Sequence, residues 1–206
     1  MDPDNRDVRA RARLAGALFL GVNVVYIASL LTGAAGPEAL RRPAVALQAC
    51  ASAATIALAW SLYELVKSAG PGLALLALLF RVAEAALFGV TAILSLTLLD
   101  GAGQPGLDAG MALVKSTLTA SGNIGQIYFC AGSAIFFYLL LKGRFMPRFI
   151  AAFGLAASVL WCGTALVRIG APAVAGYMAF SDPLFLLAET LAGVSLLLTG
   201  TRAPST

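Results

Sequence analysis

The chain has 206 residues, of which 60% are hydrophobic and only 12% are charged, and its mean hydropathy is +0.88. A soluble domain carries about 25% charged residues, so this composition excludes a water-soluble fold and predicts one all-α, polytopic transmembrane helical bundle. The formal net charge of +4 does not indicate nucleic-acid binding, because the basic residues lie mostly between apolar segments, where membrane topology signals occur.

Metal and redox cofactors are not expected from this composition. The chain has no His, and its three cysteines lie inside apolar segments without a C-x-x-C pair. Haem, zinc and di-iron sites need such ligands. We therefore expect no metal site and no cofactor, and we interpret Cys50, Cys130 and Cys162 as small buried hydrophobic residues.

Six apolar segments follow one another along the chain, and a transmembrane helix needs about 20 mostly apolar residues. The predicted spans cover residues 14–31, 44–66, 72–99, 111–141, 149–169 and 180–199. The fourth is convincingly apolar only over 124–141. Its first part is therefore either an interfacial helix that leads into the span or the outer part of one long span. Residues 1–13 and 201–206 are predicted to be cytoplasmic tails of a single domain at 14–200.

The distribution of Lys and Arg predicts the orientation of these spans, because cytoplasmic loops carry an excess of both. The side that bears the N-terminus has nine basic residues, and the other side has three, or four with Lys115. Six spans return the chain to its starting side, so both termini are predicted to be cytoplasmic. The nine are Arg6, Arg9, Arg11, Arg13, Lys67, Lys142, Arg144, Arg148 and Arg202, and the three are Arg41, Arg42 and Arg168.

Three charged residues stand out because they fall in the central part of predicted spans, where each costs roughly 2.5–3.5 kcal/mol and therefore tends to face the bundle interior. Arg81 and Glu84 are three residues apart, so they share one face of the third helix. Glu84 and Glu189 lie roughly 16–18 Å from the cytoplasmic ends of their helices, which places both near mid-bilayer. Because two carboxylates with one cation predict that one carboxyl group is protonated, all three residues are catalytic candidates.

Aromatic and polar residues in the same spans are candidates for binding a substrate. Phe80 and Phe88 lie four residues on either side of Glu84, so one helical face carries two rings that could stabilise a cationic intermediate. Ordinary helix packing is the alternative interpretation of these residues. The other candidates are amides, aromatic residues and an acidic residue at the start of the sixth span: Asn23, Asn123, Gln126, Tyr128, Trp161 and Asp182.

Several short motifs, in this order and spacing, resemble the bacterial membrane-protein family called domain of unknown function 4386. They are RARLAGALFL at 11–20, RVAE at 81–84, MPRFIAAFG at 146–154, ETLAG at 189–193 and LLLTG at 196–200. The resemblance covers nearly the whole chain. It implies a six-span bundle in the bacterial inner membrane and no established activity. The charged residues of the motifs include Arg81, Glu84 and Glu189, which the spans single out independently.

This combination favours a membrane-embedded acid catalyst that acts on a lipophilic, isoprenoid substrate. A protonated carboxyl group near mid-bilayer could protonate an alkene or epoxide and start a carbocation cyclisation. The comparison with integral-membrane terpene cyclases is an analogy of site chemistry. The expected partners are membrane lipid and a lipophilic small molecule, and the pattern leaves the oligomeric state open.

Two other functions remain open from the sequence. In a structural or regulatory membrane protein, Arg81, Glu84 and Glu189 would form a packing network. In a small transporter or proton relay, the same residues would carry protons. A chain of 206 residues without a visible internal repeat is short for alternating access, so a transporter of this kind would need to dimerise.

Overall fold

A computed structural model describes residues 3–33 and 37–199, and this part of the chain is helical and contains no strand. Six of its helices are long and apolar enough to cross a membrane. The predicted all-α, six-span transmembrane bundle is therefore confirmed. The helices are α1 Pro3–Gly33, α2 Glu38–Val66, α3 Pro71–Gly101, α4 Asp108–Lys142, α5 Arg148–Gly170 and α6 Ser181–Thr199, and a short 3₁₀ helix, Pro172–Met178, connects the last two.

Three helices extend further than the apolar pattern predicts, and one of them is α2, which begins at Glu38 rather than at residue 44. The first begins at Pro3, so the polar residues that precede the apolar stretch are already helical. The fourth is one continuous helix of 35 residues, about 52 Å long at 1.5 Å per residue, and so residues 111–123 form its outer part rather than a separate interfacial helix. The predicted tail 201–206, with Arg202, and the side chain of Arg6 lie outside the described residues.

The helices form a closed ring, because each one packs on the next and α6 returns to pack on α1. Successive helices run in opposite directions. The start of α1 and the end of α6 therefore lie at one end of the bundle, here called the terminal face, and the other end is called the opposite face. In a ring of this order, α3 and α6 lie across the interior from each other.

The half of the bundle next to the terminal face is filled by small and aliphatic side chains. Ala15, Ala59, Ala77 and Ala151 are 0% exposed there and belong to one apolar core. The ring closes at Gly16, where a Cβ atom would lie 2.6 Å from the backbone nitrogen of Leu197 on α6. Close approach of backbones at small residues is the usual way in which membrane helices associate.

The half next to the opposite face is packed less tightly. No side chain of residues 108–120 in α4 is buried. The end of α3 still contacts α4, since a Cβ atom on Gly101 would lie 2.5 Å from the sulfur of Met111. An ion pair between Arg42 and Asp100 joins α2 to α3. The polar side chains in the interior of this half include the residues of the candidate site.

Candidate functional site

An ion pair between Arg81 and Glu84 lies in the interior of the ring, and its side chains are only 3% and 2% exposed. Nη1 of Arg81 lies 3.0 Å from Oε2 of Glu84, as expected for residues three apart on one helix. The same Nη1 donates a hydrogen bond to Oγ of Ser133 on α4 at 3.4 Å. Oε2 has no hydrogen-bond partner among the described residues, so the contact is ionic without hydrogen-bond geometry.

Arg81 is held against α4 by two further features. Its guanidinium carbon lies 3.9 Å from the ring centroid of Phe129, a distance at which a cation and an aromatic ring attract each other. Gly132 makes room for the side chain, because a Cβ atom there would lie 3.0 Å from both Cγ and Cδ of Arg81. The position of the cation therefore depends on α4 as well as on its own helix.

Glu189 approaches this pair from the other side of the ring. It is 5% exposed and interacts electrostatically with both Arg81 and Glu84. Because α3 and α6 do not pack directly on each other, this interaction crosses the interior of the bundle. Among the described residues no ion pair involves Glu189, whereas Glu84 is paired with Arg81. The structure thus gathers the three residues that the sequence singled out into one group.

A cluster of three aromatic rings adjoins this group. Trp161 and Phe185 are stacked with ring centroids 4.4 Å apart, and Phe129 meets both edge-on at 5.3 Å and 5.2 Å. Phe129 also contacts Arg81, and Phe185 lies one helical turn before Glu189. Sequence reasoning selected only Trp161 from this cluster. The spacing of four residues between Phe185 and Glu189 was the available signal for a second member.

The two aromatic residues that flank Glu84 on α3 contact α4. Phe80 pairs with Tyr128, with ring centroids 6.0 Å apart, and Tyr128 is 37% exposed. Phe88 packs against Gly125, where a Cβ atom would lie 3.3 Å from its ring. These residues therefore lie in the contact between α3 and α4, and Phe129, Trp161 and Phe185 form a separate aromatic cluster.

The predicted amides are separated by the fold. Asn23 of α1 is buried, and its Nδ2 atom has no hydrogen-bond partner among the described residues. Asn123 is half-buried on α4. Gln126, one turn further along α4, takes part in a hydrogen-bonded group on the side of the aromatic cluster that faces the opposite face.

That group, here called the rim group, consists of Gln126, Trp161, Arg168 and Asp182. Nη2 of Arg168 contacts both carboxylate oxygens of Asp182, at 2.7 Å and 3.0 Å, and the indole Nε1 of Trp161 donates to Oδ1 of Asp182 at 2.6 Å. Nη1 of Arg168 donates to Oε1 of Gln126 at 2.9 Å, while Nε2 of Gln126 donates to the carbonyl oxygen of Trp161 at 3.2 Å. The rim group ties α4, α5 and α6 together. Arg168 was predicted only as a topology signal.

A small cavity lies between Arg81 and the apolar core of the terminal half. It has room for roughly one water molecule. The cavity is too small to hold a lipophilic small molecule. Its walls are Phe19, Leu62, Arg81, Ser133, Phe136, Phe137 and Leu140.

Within residues 3–33 and 37–199, no group of three or more His, Cys, Asp or Glu side chains is placed to hold a metal ion. The charged group and the rim group offer carboxyl groups, a guanidinium group each, aromatic rings and an amide. What they can do is donate or accept a proton at Glu189, stabilise positive charge through three rings, and hold a polar group at the rim.

Comparison with known proteins identifies the family but no activity. A family model described as "Domain of unknown function (DUF4386)" matches residues 12–200. The chain belongs to this family, as its motifs suggested. No curated protein and no solved structure matches the chain.

Proposed function

We propose that this member of the family is a membrane-embedded acid catalyst that cyclises a lipophilic, isoprenoid substrate by protonating it. The proposal rests on one observation: two buried carboxyl groups lie near a single cation, and only one of them is paired with it. Arg81 pairs with Glu84, and Glu189 interacts with both but has no ion pair of its own within the described residues. An isolated buried carboxylate is costly, so the neutral arrangement of this group has a protonated Glu189.

In the proposed reaction, the carboxyl group of Glu189 donates its proton to an alkene carbon or an epoxide oxygen of the substrate. With an alkene, the π electrons form the new C–H bond and leave a carbocation; with an epoxide, a C–O bond breaks instead. A second double bond attacks the cation and closes a ring, and the carboxylate of Glu189 then removes a proton from carbon. Atoms balance without a co-reactant, because the product is an isomer of the substrate.

The residues around Glu189 would stabilise both charged species of the reaction, the Glu189 carboxylate and the carbocation. Arg81 interacts electrostatically with Glu189 and would stabilise its carboxylate after proton transfer. The negative faces of aromatic rings stabilise cations, and Trp161, Phe129 and Phe185 lie beside the charged group. The interior is a low-dielectric site, in which fixed charges and dipoles act more strongly than in water.

We also propose that the protein resides in the bacterial inner membrane with both termini in the cytoplasm. Support comes from the excess of Lys and Arg at the terminal face, as the positive-inside rule requires. Residues at the helix ends or in the connecting turns of that face include Arg13, Lys67, Lys142, Arg144 and Arg148. By this orientation, the rim group lies on the non-cytoplasmic side.

A second candidate function is a non-enzymatic one, in which the charges only fix helix packing. It is favoured by the enclosure of Arg81 between Glu84, Ser133 and Phe129, beside a cavity with room for about one water molecule. A transporter or proton relay has less support, because apolar side chains fill the terminal half of the described interior.

The test is turnover of isoprenoid alkenes and epoxides by the purified protein in nanodiscs prepared in heavy water. With an alkene, a proton-initiated cyclisation places one deuterium on carbon, and chromatography with mass spectrometry detects a cyclic isomer that contains it. With an epoxide, the deuterium lies in an exchangeable hydroxyl group, so the cyclic isomer itself is the readout. The Glu189→Gln variant should lose this product, and Glu84→Gln should make less of it. Glu64→Gln is the matched control, since Glu64 pairs with Lys67 and Arg11 away from the site. Full activity in Glu189→Gln would refute the proposal.

A further inference from the structure

Tyr26 of α1 combines exposure with proximity to interior charges. The residue is 42% exposed, yet it interacts electrostatically with Asp182, Glu189, Arg168 and Glu84. Those charges belong to three other helices, and they meet in the interior of the ring. Helix α1 packs antiparallel to α6, with Gly16 beside Leu197. Tyr26, ten residues further along α1, is therefore level with the segment of α6 that carries Phe185 and Glu189.

Asp182 of the rim group and Glu189 of the charged group lie on the same helix, α6. Asp182 precedes Glu189 by seven residues, which is roughly 10 Å along a helix. Phe185 lies between them and stacks on Trp161. A molecule that enters beside Tyr26 would thus place one end at the rim group, lay an apolar segment along these rings, and bring its other end toward Glu189.

The charge of the rim group limits which end group it can accept. Arg168 is the cation of the group, and its Nη2 is already bonded to both oxygens of Asp182, while its Nη1 is bonded to Gln126. The pair has no net charge, so an anion such as a diphosphate would have to displace the Asp182 carboxylate. The side chains remain reachable, because Arg168 is 27% and Asp182 is 44% exposed.

The available hydrogen-bonding groups suit an uncharged oxygen. A carboxylate accepts hydrogen bonds, and a phenolic hydroxyl both donates and accepts them. A ligand hydroxyl can therefore donate to Asp182 and accept from Tyr26, and a carbonyl or epoxide oxygen can accept from Tyr26. Apolar rings below the rim would bind the rest of the molecule.

We infer that Tyr26 and the rim group form a binding subsite for the uncharged, oxygen-bearing end of a lipophilic substrate. This inference rests on the proposed function for the direction in which the substrate lies, with its reacting double bond at Glu189. It adds the class of substrate, an isoprenoid alcohol, ketone or epoxide rather than a diphosphate. It also adds Tyr26 and Arg168 as residues that determine specificity.

The fluorescence of Trp161 provides the binding assay. The chain has two Trp residues, and the other, Trp60, is 56% exposed on α2. The Trp60→Phe protein in nanodiscs therefore reports on the site alone. The probes are farnesol, a neutral isoprenoid alcohol, and farnesyl diphosphate. The double variant with Trp60→Phe and Trp161→Phe has no Trp, so it gives the change in signal that comes from partitioning of the probe into the lipid.

Farnesol should change the Trp161 emission saturably, and the diphosphate should bind at least ten times more weakly. Loss of one neutral hydrogen bond in Tyr26→Phe should raise the Kd for farnesol by about 3- to 10-fold. Tyr138→Phe is the matched control, because Tyr138 is 43% exposed on α4 and should leave the Kd unchanged. Arg168→Lys keeps the charge but cannot bond Asp182 and Gln126 through two separate nitrogens, so it should weaken binding as well.

Three results would overturn the inference: no saturable response to farnesol, equal or tighter binding of the diphosphate, or the same Kd in Tyr26→Phe and Tyr138→Phe. The Glu189→Gln variant separates this inference from the proposed function. In a Glu189→Gln background, which loses turnover, Tyr26→Phe should still raise the Kd for farnesol by the same factor. If no variant or substrate gives turnover but farnesol binding still depends on Tyr26, the catalytic proposal fails and the subsite stands.

Discussion

Replacing Arg81 by Met tests whether the interior charges form one interdependent group. Arg81 is 3% exposed, and Glu84 is 2% exposed, so the substitution leaves a buried carboxyl group without its cation. Removal of one partner of a buried ion pair typically costs about 3–5 kcal/mol. The lost contact with the Phe129 ring, at 3.9 Å, adds about 1–2 kcal/mol in a desolvated site. We expect the free energy of unfolding to fall by at least about 3 kcal/mol.

A matched substitution at an exposed pair gives the reference. Arg11 pairs with Glu64 at 2.9 Å, but the two side chains are 47% and 20% exposed. Exposed pairs contribute about 0–1 kcal/mol, so Arg11→Met should be nearly silent. Unfolding in mixed micelles, followed by helical circular dichroism as the denaturing detergent is increased, measures both variants under the same conditions.

The double variant Arg81→Met with Glu84→Leu tests the effect of removing the whole buried pair. Replacement of a whole buried pair by apolar residues of similar size is often neutral or stabilising. The double variant should therefore be more stable than Arg81→Met alone by about 2 kcal/mol or more. If Arg81→Met and Arg11→Met destabilise equally, the reasoning that places a desolvated ion pair at the centre of the bundle is wrong.

Two further predictions concern glycines at helix contacts, each with a control on the same helix, in the same unfolding assay. Gly16→Ala should destabilise by about 1–3 kcal/mol, because its Cβ would lie 2.6 Å from the backbone of α6, whereas Gly21→Ala should not, since nothing lies within 4 Å. Gly154→Ala should also destabilise, because its Cβ would lie 2.2 Å from the ring of Phe137, while Gly163→Ala has free space and should stabilise the helix by about 0.5–1 kcal/mol. Equal effects within either pair would contradict these contacts.

The number and type of the spans follow from local sequence, and the structure confirms them. Hydropathy over about 20 residues depends on composition alone, so the ends of α3, α5 and α6 were predicted to within two residues. Helix α2 begins at Glu38, six residues before its predicted start at residue 44. The length of α4 was left open for a physical reason. Its first part contains Lys115 and several hydroxyl residues, which lower its hydropathy, while its helical state is supported by packing on α3, as at Gly101 and Met111.

The same distinction holds for the candidate site, where some residues follow from local sequence and others depend on the tertiary structure. The cost of an intramembrane charge made Arg81, Glu84 and Glu189 conspicuous in the sequence, and the spacing of three residues predicted the first pair. Which rings and polar groups surround them depends on the rotation of each helix and on the order of helices around the ring. No local pattern carries that information. Only the packing of α3 on α4 brings Phe129 to Arg81, and only the packing of α4, α5 and α6 joins Arg168 to Asp182 and Gln126. These contacts form between residues that are not neighbours in the chain.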